Sequence, residues 1–334
     1  MISLSKNLIG HNDLVKNILN NYEKKTLSNS IIFSGQKGIG KTTAAFYLIN
    51  KLFFNIDSKN NNNHLTYKNL HPNIRYIQKL FDEKTNKFKS NISIDQIRGL
   101  GNFINQSAFE NLPKFIIIDS VDDLNNSSSN SLLKSLEEPK INTYFILITH
   151  QISSILPTIK SRCINYIAEN PSYAQFCEIL NNNNAAIDIS NINFLFNVTN
   201  GSPGLANSIY SEDINVNFNN IIEIFSNKEN LELNIINLAN NVGKYSNNRF
   251  RNFLILLRFI ILSVIKINLG YVFDKNLSLD IIKFLNNISN LIPNKISLEI
   301  LEFINENEKD MLIYNLDKKI FCFNIFSPLS RHYE

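Results

Sequence analysis

Residues Gly35-Gln-Lys-Gly-Ile-Gly-Lys41-Thr42 match GxxxxGK[ST] at every position, and no other stretch restricts the fold as much. Such a loop works only where a buried strand leads in and a helix leads out. Both flanks fit. Ser30-Ile-Ile-Phe-Ser34 reads as a strand, and a helix is expected from about Lys41. The glycines let successive backbone N–H groups converge on phosphate oxygens, and the helix N-terminus adds positive potential. An ordinary glycine-rich turn would not need the Lys-Thr pair. The candidate nucleotide-binding residues are therefore Gly35, Gln36, Lys37, Gly38, Ile39, Gly40, Lys41, Thr42 and Thr43. Lys41 is placed to reach the β and γ phosphates and Thr42 to ligate Mg²⁺.

Two more strands are expected at Lys114-Phe-Ile-Ile-Ile-Asp119 and Thr143-Tyr-Phe-Ile-Leu-Ile-Thr149. Their uninterrupted apolar runs suit parallel strands covered on both faces. Between them Ser127–Glu138 reads as an amphipathic helix stopped by Pro139. Strand and helix alternate to about residue 168, which implies a doubly wound α/β domain. Asp119 ends a strand beside the loop and is the candidate second metal residue, with Thr42. Hydrolysing enzymes of this class usually carry Glu next, as the base that positions water; here the residue is Ser120, which cannot take a proton at neutral pH. Asp122 and Asp123 either substitute for it in part or start the following helix.

Beyond Pro171 the strand signals fade. Tyr173–Leu180 and Asn193–Val198 read as short helices ending at Gly201-Ser-Pro-Gly204. From about Asn217 helical periodicity dominates, with Leu231, Ile235, Leu238, Ala239 and Val242 on one face and further helices over 247–268, 278–291 and 295–307. The expected organisation is an α/β domain over 1–168, a small helical domain over 169–212 and an all-α domain over 213–334. The balance of 33 Lys and Arg against 29 Asp and Glu gives +4, which permits nucleic-acid contact without demanding it. The N-terminal residues carry no secretory pattern, and Phe253–Leu269 is broken by Arg258, Ser263, Lys266 and Asn268, so it reads as a buried helix rather than a membrane span. Cys163, Cys177 and Cys322 form no CxxC pair, and a reducing cytoplasm is the expected compartment. Asn makes up roughly one residue in six, and its runs at 60–63 and 181–184 read as solvent loops.

Further segments carry a resemblance. These are Leu8-Ile-Gly-His11, His71-Pro72, Ile94-Asp-Gln-Ile-Arg98, Asn130-Ser-Leu-Leu-Lys-Ser-Leu-Glu-Glu-Pro139, Leu156-Pro-Thr-Ile-Lys-Ser-Arg-Cys163 and Gly201-Ser-Pro-Gly204, with a weaker match at Tyr314-Asn-Leu-Asp-Lys318. Together with the P-loop they resemble the AAA+ clamp-loader subunits of bacterial DNA polymerase III, and the delta-prime branch in particular. The likeness is strongest over 8–206. It implies an AAA+ domain, a helical lid and an all-α collar, within a ring that includes gamma/tau and delta subunits and loads a sliding clamp onto primed DNA. It also implies that Arg162, in Ser-Arg-Cys, projects into a neighbouring subunit's nucleotide site as an arginine finger, and that Thr149-His150 occupies a phosphate-sensing position. A guanidinium suits the first role because it stays charged and binds phosphate bidentately. Without the resemblance, Arg162 would be read as pairing with a carboxylate of its own domain boundary. His150 either contacts phosphate or caps the strand end.

Motor subunits of that family carry Asp-Glu where this chain has Asp119-Ser120, and an Arg where it has Gly204. The expectation is ATP and Mg²⁺ binding without useful turnover. No zinc is expected, since His64 and His71 stand alone where relatives carry four cysteines. Cys163 reads as a small buried residue rather than a nucleophile. Lys37, Arg98, Lys134 and Lys160 are either DNA-phosphate contacts or solvated surface. The competing readings are an ATP-hydrolysing motor subunit, a P-loop kinase that leaves Leu-Glu-Glu-Pro and Ser-Arg-Cys unexplained, and a scaffold with a relic loop.

Overall fold

A computed structural model describes residues 8–56, 71–83, 87–183, 187–211, 214–226, 230–271 and 277–333. Two compact units are present, one running to Gln175 and one starting at Phe176. The strands of the first unit are β1 (Ser30–Ser34), β2 (Ile74–Gln78), β3 (Phe81–Asp82), β4 (Lys87–Phe88), β5 (Lys114–Asp119), β6 (Thr143–Thr149) and β7 (Ile164–Ile167). Five of them form one sheet in the order β2-β5-β6-β1-β7, every pairing in it parallel, while β3 and β4 make a small antiparallel hairpin. This is the doubly wound α/β architecture that the sequence implies.

The side-chain period of two along β1 divides the core. Ile31 and Phe33 pack with Val15 and Ile18 of helix Asn12–Glu23 and with Ala45, Phe46 and Ile49 of helix Lys41–Ile56. Ile32 points to the other face, where it meets Ile97, Leu132 and Leu136 from helices Ile94–Arg98 and Asn126–Glu137. Burying both faces explains why the central strands are apolar between their ends. The register aligns Ser34 with Thr149 and Asp119 with Ile148, so the carboxyl ends of β1, β5 and β6 lie level. The P-loop leaves β1 at that edge, as ligand sites in open α/β sheets do.

The strands expected at 30–34, 114–119 and 143–149 are present with those bounds. The expected helix after β5 begins at Asn126, capped by Asn125, whose side chain accepts from the Ser128 N–H. Asp122 and Asp123 therefore do not start it; they lie in a separate single turn, Val121–Asp123. Asn181–Asn183 also differ from expectation, forming the end of helix Tyr173–Asn183 rather than a loop. Asn60–Asn63 and Asn184 lie outside the described residues. Several turns are closed by Asn in the left-handed region, at Asn111, Asn142, Asn200 and Asn315.

In the second unit, helices Tyr173–Asn183, Ile189–Val198, Pro203–Tyr210, Ile214–Ser226, Leu231–Val242, Asn247–Asn268, Leu279–Leu291, Asn294–Ile313 and Lys318–Tyr333 follow one another. One apolar core gathers residues from Phe176 to Leu329, with Phe250, Phe253 and Phe326 fully buried in it. Ser202, Ser246 and Ser278 cap three of the helices. The apolar 247–268 segment is the central helix of this core, and no helix among the described residues is long and apolar enough to cross a membrane.

Candidate nucleotide site

The P-loop is closed around its own backbone. Gly35 has no room for a side chain, since a Cβ there would lie 2.4 Å from the Ala168 carbonyl oxygen. Gly40 sits at φ +97°, a conformation that strains any residue with a Cβ. Lys41 is buried, and its Nζ donates to the Gly35 and Gln36 carbonyls, both at 2.6 Å. Burial pushes its ammonium down to about 8, against the pull of Asp119 and Asp122 and with a further push from Lys37.

Thr42 and Asp119 meet as the sequence predicts. The Thr42 hydroxyl donates to Asp119 Oδ2 at 2.7 Å. The hydroxyl of Tyr76, from β2, donates to the same oxygen at 2.9 Å, and burial raises its pKa far above the usual phenol range. A threonine hydroxyl beside a strand-end carboxylate at a P-loop is a donor set suited to a hard divalent cation bound together with phosphate. Gln36 accepts from Asn170 at 2.8 Å, Lys37 is exposed, and Thr43 begins the helix beside Thr42. Ile39 is buried, and its carbonyl lies 2.7 Å from Nε2 of His11. A carbonyl only accepts, so His11 carries its proton on Nε2; burial depresses its pKa and keeps the ring neutral.

The acceptors that could activate water are otherwise engaged. Ser120 is buried and donates to Asp123 Oδ2 at 3.1 Å, and Asp123 pairs with Lys79 at 2.9 Å. Asp122 accepts from the Thr149 hydroxyl and the His150 N–H, each at 2.7 Å, and from the Ser154 hydroxyl at 2.8 Å. Burial pushes the Asp122 carboxyl up, but these donors together outweigh it and hold the pKa below the usual range. Thr149 thus points its proton at Asp122. His150 Nδ1 is buried without a hydrogen-bond partner among the described residues, and burial followed by the Lys41 charge lowers its pKa.

Arg162 is ion-paired within its own chain, Nη2 to Glu137 Oε1 at 2.7 Å. Gly204 is the second residue of helix Pro203–Tyr210 and is exposed. Arg98, Lys134 and Lys160 are exposed as well. Cys163 is packed against the sheet core, and burial lifts its thiol to about 12, far from a nucleophile's range. His71 is a buried turn residue that accepts the Asn73 N–H on Nδ1 at 3.1 Å and packs against Phe53. No cluster of three or more metal-ligating side chains occurs among the described residues, and His64 lies outside them. Sequence reading missed Tyr76, whose signal was its place two residues before the end of a strand flanking Asp119. It also missed the buttressing of the loop by His11, which is remote from it in sequence.

Residues 10–172 match the family model described as DNA polymerase III, delta subunit. The likeness is therefore to the DNA polymerase III delta-prime family, over just under half of the chain for the family model. Among its relatives, DNA polymerase III subunit delta' of Bacillus subtilis is 34% identical over 159 residues, covering 45% of each chain. The same subunit from Buchnera aphidicola subsp. Schizaphis graminum is 30% identical over 206 residues, covering 60% of each. That of Pseudomonas aeruginosa is 42% identical over 89 residues, 27% of each. The chain thus matches these delta-prime relatives over less than two thirds of their length.

Proposed function

We propose that the chain is the stator-like delta-prime subunit of a DNA polymerase III clamp loader, which binds nucleotide without useful turnover and lends Arg162 to a neighbouring subunit's ATP site. Its partners in this reading are gamma/tau and delta subunits, the sliding clamp and, through the assembly, primed DNA. The lid over 169–212 and the collar over 213–334 then lie in the second unit except for residues 169–175. Gly35 to Thr43 cradle the phosphates, Lys41 exchanging its two carbonyl partners for β and γ oxygens. Thr42 and Asp119 hold Mg²⁺, which when bound neutralises phosphate charge.

The observation that carries the reading is the engaged state of every acceptor at the hydrolytic end of the site. Ser120 is tied to Asp123, Asp123 to Lys79, and Asp122 to three donors around Thr149. No carboxylate there is left to polarise a water, as general-base hydrolysis requires. Two measurements test it. The isolated chain is expected to bind a fluorescent ATP analogue, to lose that binding in Lys41→Ala, and to release no phosphate above background. In the reassembled loader with clamp and primed DNA, Arg162→Ala is expected to lower ATPase turnover by about tenfold or more. Steady hydrolysis by the chain alone, or an unaffected assembly, would favour an autonomous ATPase.

A further inference from the structure

Arg162 does not stand unheld. Beside the 2.7 Å ion pair of its Nη2 with Glu137, Nη1 donates to the Thr158 carbonyl at 2.9 Å and lies 3.4 Å from the Ser161 hydroxyl. One anchor is a helix C-terminal end and the other a carbonyl of a single turn. Glu137 is the last residue of Asn126–Glu137, and Thr158 belongs to the single turn Pro157–Lys160. A carboxylate at a helix C-terminus faces the negative end of the dipole, and carbonyls there lack intrahelical donors, so each favours a cation. Yet the side chains of Arg162 and Glu137 remain 36% and 48% exposed, and so solvent-screened a pair shifts an equilibrium by only about fivefold or less. Nε of Arg162 makes no hydrogen bond among the described residues, and Nη2 meets Glu137 as an ion pair.

We propose that Glu137 is a latch on the arginine finger: it holds Arg162 in cis until a phosphate on the neighbouring subunit's nucleotide takes its place. The proposal rests on the finger reading above. An incoming phosphate engages Nε–H first and then Nη2, because guanidinium binds phosphate bidentately. The Glu137 carboxylate is then within a few ångströms of a second anion on the same guanidinium, and repulsion releases it. Only non-covalent contacts are exchanged. Nη2 trades its ion pair with the carboxylate for a phosphate oxygen, and the carboxylate returns to water.

The test uses the reassembled loader with clamp and primed DNA, titrated with the full chain as wild type, Glu137→Gln, Arg162→Ala and the double variant. A matching thermal melt checks that Glu137→Gln folds, and Glu137→Ala serves as a second variant. Without the latch, the concentration of this chain giving half-maximal ATPase stimulation is expected to fall about two- to fivefold, with the maximal rate unchanged. That gain should shrink as salt is raised and vanish when Arg162 is also replaced. An unchanged or higher half-maximal concentration overturns the latch, and so does a fall that persists in the Arg162→Ala background. If Arg162→Ala alone leaves the stimulated rate untouched, the finger and the latch fail together; if it lowers the rate while Glu137→Gln does nothing, only the latch fails.

Discussion

Lys41 gives two of its three protons to the loop that carries it, and this fixes the direction of its pH response. Its pKa of about 8 lies below the ordinary 10.5, so between those values the unfolded chain holds the extra proton and stability from this group rises with pH. Denaturant titrations from pH 7.5 to 10.5 should reveal that rise as a difference between wild type and Lys41→Met. Nucleotide affinity should move the opposite way, since phosphate needs the charged form. It is expected to weaken about fivefold between pH 8 and 9, as read by titration with an ATP analogue. Lys41, Thr42 and Asp119 were legible because a strand, a glycine turn and a second strand end state their chemistry in adjacent letters. Tyr76 and His11 were not. Each touches the site from a distant part of the chain through one hydrogen bond, and only the register of β2 and the fold of the first helix bring them there.

Asp122 works between elements, fastening the turn after β5 to the end of β6 and the turn beyond it. Asp122→Ala leaves the Thr149 hydroxyl and the His150 N–H without this acceptor, which should cost about 3 kcal/mol in urea unfolding at pH 7. Because its folded pKa is depressed, the stabilisation is present above the ordinary carboxylate value and lost as pH falls, so the gap to wild type should close below about pH 4. The central strands β1, β5 and β6 were legible to the residue because burial on both faces confines charged and hydroxyl-bearing aliphatic residues to their ends. The edge strands β2 and β7 escaped notice. Each has a neighbour on one side only, and mixed segments such as Ile74-Arg-Tyr-Ile-Gln78 suffice there. Helix Pro203–Tyr210 was hidden because Pro203, read as a stop, occupies the first turn, where its missing N–H costs nothing.

Across the molecule, two cores answer to separate sets of residues. Ile117 is fully buried in the sheet core and Phe253 in the helical one. Calorimetry of the full chain is expected to resolve two transitions, with Ile117→Ala lowering one by about 2–5 kcal/mol of stability and Phe253→Ala the other by about 3–5. A single transition lowered equally by both would contradict this. The change from mixed strand and helix to helix alone was plain from periodicity. The continuity of the helical core was not, because Gly201-Ser-Pro-Gly204 punctuates the sequence while the helices on either side of it share one interior.

The asparagine turns have a consequence for how such a gene can change. Asn is the side-chain-bearing residue that tolerates the left-handed region best, and among the described residues it holds four of the seven non-glycine positions with positive φ. Glycine codons begin with two guanines, whereas asparagine codons begin with two adenines. A coding sequence pushed toward adenine and thymine can therefore exchange one for the other at a turn and keep the connection, which accords with only 10 glycines in 334 residues. Gly35, with a carbonyl where its Cβ would go, lies beyond the reach of that exchange.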